Sequence, residues 1–436
     1  MRPARGVLVP WALVIGMTGL ASPALANGRY PSAGQLVVDP ADARHLVVRT
    51  TFGLLQTFDA GSHWSLICEQ AVSAGGFEDP EIAVTTGGQV AMGLPDGLAI
   101  GDPTGCGWTR NPEFVNDNVI DLVVNGADSA TAYLAAAVTV DGAFNALVAG
   151  TTNGATWSVT GALLPDTYPL TIETAPSRAQ RLYMGAEDGN LELGFIDVSD
   201  DGGASWTTRA GPDGVDSVYV SAVDPQDADR VYLRSYFPQS NLYVSDDGAA
   251  TWTLIYQSEV PLTGFALSPD GQQVAVGGSS GMAILARTAG DAGGGYATMT
   301  TAPLPVGCLT WAAAGLYACA DEATAGFTIG LSTDGGGTFD PLLHLKDLTS
   351  ASCAPASSAG SCAAEWCSIA SAIGAPCGVT ADAGADANRD VAAGSATAEA
   401  GCSCETTRGP SWVDLVVLLA VTATRSRFVT RRASEQ

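Results

Sequence analysis

Apolar and polar positions alternate in short bursts along this chain, and the bursts come in fours. Between Ser217 and Ile255 the stretch SVYVSAV alternates as a half-buried strand does. DPQDADR breaks it, because Asp and Pro start a turn and the polar residues solvate it. VYLRSY reads as a second strand, FPQS as a loop, NLYVS as a third strand, an acidic phrase as a turn, and TWTLI as a fourth strand. The first unit follows the same plan, with QLVVD, PADAR, HLVVRT, GLLQTF, a turn and WSLIC. VDPADARHLVV and VDPQDADRVYL are close enough to show common descent of the two units. Four antiparallel strands per unit make one propeller blade.

The turn before the fourth strand carries the clearest repeat. Its best copies are SDDGGASW (Ser199 to Trp206), SDDGAATW (Ser245 to Trp252) and TFDAGSHW (Thr57 to Trp64), followed by STDGGGTF (Ser332 to Phe339). Worn copies are GDPTGCGW, GTTNGATW and AGDAGGGY, where the aspartate position falls on Pro103 in the first and Thr152 in the second. The closing aromatics stand at 64, 108, 157, 206, 252, 296 and 339, a spacing of 43 to 49 residues. A period of that size indicates a propeller or a solenoid. Seven units over roughly residues 28 to 350 predict an all-β, seven-bladed β-propeller of four-stranded antiparallel blades.

The phrase resembles the Asp-box of the BNR-repeat proteins, S/T-x-D-x-G-x-T/S-W, a group that includes sialidases, sortilin and photosystem II assembly factor-like repeats. Its chemistry is local. The aspartate accepts hydrogen bonds from its own turn, glycine permits positive φ, and the aromatic packs between blades. Asp59, Asp201, Asp247, Asp291 and Asp334, with Trp64, Trp206, Trp252 and Phe339, are therefore assigned structural roles. Sialidases also have six blades, an R-I-P motif and an arginine clamp. Here the nearest string is Arg29-Tyr30-Pro31, and Arg44, Arg178 and Arg230 fall in equivalent turns beside the boxes, so that activity is not carried over.

In an up-and-down blade the boxes share one face with the loops joining strands one and two, which makes the opposite face the better place for a ligand. Segments expected there are acidic. They hold Glu78, Asp79 and Glu81, then Asp117 and Asp121, then Asp213 and Asp216, and further Asp96, Asp141, Asp166, Glu187, Asp188, Asp321 and Glu322. Carboxylates so grouped suit Ca²⁺ or a basic partner. Phe52, Phe144, Tyr236 and Phe237 belong to the same loops and are candidates for stacking on a sugar or packing on a partner.

Charge and composition narrow the partner. The chain has 436 residues, one lysine (Lys346) and a formal net charge of −26. Such a surface repels nucleic acid and anionic lipid. His45, His63 and His344 lie far apart in the repeat plan, and no HExxH, GxSxG or P-loop string occurs, so zinc and serine-triad chemistry are not expected. Paired carboxylates could support glycoside hydrolysis, as in two-propeller xyloglucan hydrolases that share the box, with Glu78, Asp79, Asp121 and Asp216 as candidates.

The two ends of the chain speak to its destination. Residues 1–26 read as a secretory signal, with Arg2 and Arg5, an apolar stretch from Val7 to Leu20 and Ala24-Leu25-Ala26 before the cut. The propeller is assigned to 27–350. A small Cys-rich appendage follows at 351–379, where Cys353, Cys362, Cys367 and Cys377 allow three internal pairings. Cys308 and Cys319 flank a predicted hairpin and could pair, while Cys68 and Cys106 fall in adjacent blades. Residues 380–400 are a flexible linker of small residues. In 401–436, Cys402 and Cys404 precede a short C-terminal hydrophobic helix (412–424) and an arginine-rich end, an order that resembles the MYXO-CTERM sorting tail of myxobacterial surface proteins. The resemblance implies an envelope protease acting near Cys402 and membrane contact only through the tail. Taken together, the expectation is an exported, non-catalytic propeller that binds a protein or glycan outside the cell. The alternative is a secreted glycoside hydrolase.

Overall fold

The computed structural model describes residues 31–72, 79–191, 193–236, 239–288 and 295–377. The signal segment, Glu78, Phe237, Asp291, the linker, Cys402, Cys404 and the hydrophobic tail lie outside the described residues.

Seven antiparallel sheets follow one another along the chain, each taking its first four strands in sequence order. The unit examined first comprises Val218–Val223, Val231–Ser235, Ser240–Ser245 and Thr253–Ser258. Innermost strands contact those of the blades on either side, and Val306–Ala312 of blade 7 returns to Ala33–Val38 of blade 1, so the seven sheets form a closed ring. This is the seven-bladed propeller expected from the repeat.

The core is divided by seams rather than by blades. Seven hydrophobic clusters occur among the described residues, each holding side chains of two neighbouring blades. Each also holds one closing aromatic of the repeat: Trp64, Trp108, Trp157, Trp206, Trp252, Tyr296 or Phe339. Sheets stacked face to face bury little within themselves, so the large ring at the head of each fourth strand fills the gap to its neighbour.

The turns beside those aromatics are held by hydrogen bonds. At Asp201 the Ser199 hydroxyl and the Ser205 N–H donate to Oδ1, both at 2.8 Å, and the Ser205 hydroxyl donates to Oδ2 at 2.6 Å. Asp59, Asp247 and Asp334 receive the corresponding bonds in their own turns. The backbone N–H of Thr338 and the hydroxyl of Ser332 hold Asp334 down to about 2, and a bond from His63 does the same for Asp59. Where SDDGAATW lacks glycine, Ala249 takes φ +69° and is fully buried. The worn copies do not run through Pro103 or Thr152. Asp102 accepts from the N–H of Thr104 at 2.9 Å and that of Gly107 at 2.9 Å, and Asn153 accepts from Ala155 and Thr156 at 2.9 Å each. Both turns keep the bonding with the acceptor moved one position, a shift invisible to a fixed motif.

The appendage departs from a self-stapled module. Cys362 bonds to Cys68 and Cys353 to Cys106, so two of its four cysteines are tied to blades 1 and 2; only Cys367 and Cys377 pair internally. Cys308 pairs with Cys319 across its hairpin. Before the appendage, Thr349–Ser350 adds a parallel fifth strand to the outer edge of blade 1. The helix Cys362–Ile373 then lays Trp366 and Ala370 on the seam between blades 7 and 1.

Candidate functional site

Innermost strands of a propeller do not hydrogen-bond to one another, so their backbone groups at the ring axis need other partners. Side chains supply them across the seams. Gln35 accepts from the Ile82 N–H at 2.8 Å and donates to the Ile82 carbonyl at 3.1 Å. Asp121 accepts from the Ile172 N–H at 2.8 Å. Arg234 donates to the carbonyls of Leu262 and Thr263, Thr263 to Val306, and Thr310 to Leu36. Polar residues on strands that otherwise read as apolar are thus explained by the architecture.

A β-bulge decides which of them face the axis. In six innermost strands the pairing register slips by one residue, as between Val119 and Asp121 and between Pro169 and Thr171. A slip re-aims every following side chain. Asp121, Thr171 and Glu173 thereby line the channel.

The channel widens into a cavity of about 970 Å³. Its walls include Ser32, Asp79, Glu81, Tyr236, Pro305 and Asp321, from the starts of innermost strands and the loops joining second to third strands. It therefore opens opposite the repeated turns. A smaller cavity of about 340 Å³ lies on the turn side and shares Glu173, Ser221, Phe265, Leu309 and Thr310 with the larger one, which places these five at the waist.

Five carboxyl groups, Asp79, Glu81, Asp121, Glu173 and Asp321, and two guanidiniums, Arg49 and Arg234, line this cavity. Arg49 is nine-tenths buried, donates to the Gly34 carbonyl at 3.1 Å, and stands 3.6 Å from Asp79 and 3.5 Å from Glu81. Arg234 donates from Nε to the Ser221 hydroxyl at 2.9 Å. Asp121 accepts from two backbone N–H groups, Leu122 and Ile172, each at 2.8 Å. Burial, and then the charge of Glu81, nevertheless push its carboxyl up to about 8. Burial and the charge of Asp121 raise Glu173 well above the usual carboxylate range. Burial lowers Arg234, with Glu81, Glu173, Tyr219 and Asp121 opposing the shift.

The raised carboxyl carries a stability signature. A folded state that binds a proton more tightly than the unfolded chain loses stability as pH rises between the two pKa values. From about 4 to about 8 the unfolded chain releases the Asp121 proton while the fold holds it, so stability should fall as pH rises. Asp121→Asn should flatten that decline, so that the difference in melting temperature between variant and wild type moves in the variant's favour from pH 5 to pH 8. Parallel melting curves across this range would show instead that Asp121 ionises freely in the channel.

Of the other acidic candidates, Asp213 and Asp216 are exposed on the connection between blades 4 and 5, and Asp117 is half-buried before blade 3; none lines the cavity. Tyr236 stands at its rim, 57% exposed, with its ring edge-on to Tyr219 at 6.3 Å. Phe52 is not available to a ligand: it is 5% exposed and packed into the seam of blades 7 and 1, where an inter-blade gap needs an apolar filler. Among the described residues no group of three or more His, Cys, Asp or Glu side chains could hold a metal ion. The three histidines each face one carboxylate, His45 with Asp39, His63 with Asp59 and His344 with Glu322.

Sequence reasoning passed over Glu173, Arg49 and Arg234. The two arginines occupy the same place in the second strands HLVVRT and VYLRSY, so a charge recurring inside an apolar strand was the available signal. Glu173 had none, because its orientation depends on the bulge at Leu170.

No protein-family profile and no curated protein sequence matches this chain. Among solved structures it is similar to an ancestral GH74 enzyme at 15% identity and a TM-score of 0.56, over 72% of this chain and 46% of that one. It is also similar to the hydrazine synthase of Kuenenia stuttgartiensis (13% identity, TM-score 0.47, 66% of this chain and 93% of that one). A third is the β-propeller domain of Cps50 (Swd1) from Myceliophteria thermophila (12% identity, TM-score 0.45, 67% and 94%). The chain spans less than half of the GH74 enzyme, and at these identities the likeness is one of fold.

Proposed function

We propose that this chain is an exported Asp-box propeller that acts as a binding module, taking its ligand in the cavity at the ring axis on the face opposite the turns. The observation that carries this reading is the cavity itself. At about 970 Å³ it has the size of a ligand site, and charged, hydroxyl and aromatic side chains from several blades converge on it. The four disulfides among the described residues, two of them spanning more than 240 residues, suit an oxidising location outside the cytoplasm. On this reading residues 401–436 serve as the envelope sorting tail.

Glycoside hydrolysis is the second reading, and one observation favours it. Hydrolysis needs one carboxyl that keeps its proton near neutral pH and another that does not. Asp121 is pushed up to about 8 in the same cavity as Glu81. The fold likeness to a GH74 enzyme points the same way.

The two readings separate in one assay. The secreted full chain is incubated with a panel of plant and bacterial polysaccharides, and both retention and newly formed reducing ends are measured. Saccharide retention without turnover, weakened by Glu173→Gln, supports a binding module for glycans. Reducing ends that vanish with Asp121→Asn would establish hydrolysis. If there is neither turnover nor retention, and no protein is retained through this face, both readings fall.

A further inference from the structure

We infer that the ligand is a polypeptide segment carrying a basic side chain, which enters the axial cavity while its flanking residues lie on a shelf formed by blades 3, 4 and 5. The inference rests on the binding reading above and names the class of its partner.

The shelf is continuous by contact. The Phe144 ring of blade 3 meets Tyr168 of blade 4 edge-on at 5.1 Å. Tyr168 stands opposite Glu187 on the paired strand, and Glu187 accepts from the Ser217 hydroxyl of blade 5. Two residues on, Tyr219 meets Tyr236, and both line the cavity. Four rings thus lead from the outer hairpin of blade 3 to the mouth.

The same sector is raised and apolar. The second strand has 9 residues in blade 3, against 5 in blade 1 and 5 in blade 5, and in blade 4 it pairs with the innermost strand up to Asp188, opposite Thr167. In blade 3, Val138 to Val140 run beyond the last pairing with the innermost strand, at Asn118. The raised hairpins expose Val140 at 44%, Leu191 at 48% and Leu193 at 66%. Exposed aliphatic side chains on the face that carries the mouth of a pocket suit a surface that another protein covers. They offer little to the hydroxyls of a sugar.

Charge selects the rest of the partner. The cavity sets Asp79, Glu81, Asp121, Glu173 and Asp321 against Arg49 and Arg234, and a basic side chain placed among them would favour the ionised form of Asp121 and Glu173, whose protons burial holds in its absence. Tyrosine faces at the mouth attract cations as well. The formal net charge of −26 draws a basic partner and discourages an acidic one. A lysine or arginine side chain between apolar neighbours matches cavity and shelf together.

Full-length protein panned against a random peptide display library should enrich peptides with Lys or Arg next to aliphatic or aromatic residues. Selected peptides should lose about tenfold in affinity, or more, with Glu173→Gln and again with Leu193→Asp. Each variant should melt no lower than wild type. If Glu173→Gln does not fold, Tyr236→Ala at the exposed rim replaces it. Enriched peptides without a basic residue, or affinities indifferent to both sites, would overturn the inference. Glycan binding lost in Glu173→Gln, with no peptide enriched, would overturn it and leave the binding reading standing. Absence of binding to either class removes both.

Discussion

Replacing Cys68 and Cys362 together by alanine will lower stability more than replacing Cys367 and Cys377. The first bond closes a loop of 294 residues and the second a loop of 10. In the chain-entropy description a cross-link restricts the unfolded ensemble in proportion to the logarithm of its loop; with Cys106–Cys353 intact the loop that Cys68–Cys362 closes shrinks to about 47 residues, for about 4 kcal/mol, against about 3 kcal/mol for the short one. The position adds to the difference. Each blade is completed within its own unit, so apart from the disulfides only non-covalent contacts join blade 7 to blade 1. Cys68–Cys362 and Cys106–Cys353 tie the chain that leaves blade 7 to the blades that begin the ring. Denaturant melts of the two double variants, with the melting of the reduced wild type alongside, measure the effect. A long-loop variant within about 1 kcal/mol of wild type would mean that the strand Thr349–Ser350 and the seam packing close the ring unaided.

Trp64→Ala should cost about 3 to 5 kcal/mol, the usual result of truncating a buried large aromatic. Trp64 is 3% exposed in the seam of blades 7 and 1, and its Nε1 donates to Gly61 at 3.1 Å and to Leu342 of blade 7 at 3.2 Å. Truncation removes apolar burial and a cross-seam bond at the junction where the chain is not continuous. Trp252→Ala should cost less. Its ring is half-buried, and its Nε1 reaches Ala210 across a seam between consecutive blades. Hydrogen exchange reads the location: protection should fall first in Ala33–Val38 and Val306–Ala312. Equal costs at the two tryptophans would show that the closing seam has no special weight.

Legibility followed distance along the chain. The seven-unit count, the four strands of each unit and the aromatic at each seam were readable because each unit contains its own strands and turn. Even the worn turns kept their chemistry, with Asp102 and Asn153 one place from where a fixed motif looks. The face on which each loop lies was readable too, since strand parity puts the repeated turns and the first loops together. The acidic residues were harder. Asp79 and Asp121 reach the cavity, whereas Asp213 and Asp216 sit on an exposed connection with the same composition. Composition says that a loop is acidic; it does not say which carboxylate turns inward. Phe52 was misplaced for a related reason, since a loop position one residue from a strand can fold into a seam.

By itself, then, the amino-acid sequence determined the repeat, the strand pattern and the turn chemistry, all of which act within about fifty residues of chain. The tertiary structure decided what depends on ring closure. It joined Cys68 to Cys362 and Cys106 to Cys353, and through the register slip before Asp121 it gathered Glu81, Asp121, Glu173 and Arg234 at one axis. These groups come from four blades and meet only when the ring closes. Local propensity carries no information about such meetings, because each requires a long loop to be closed and a bulge to set which way a side chain faces.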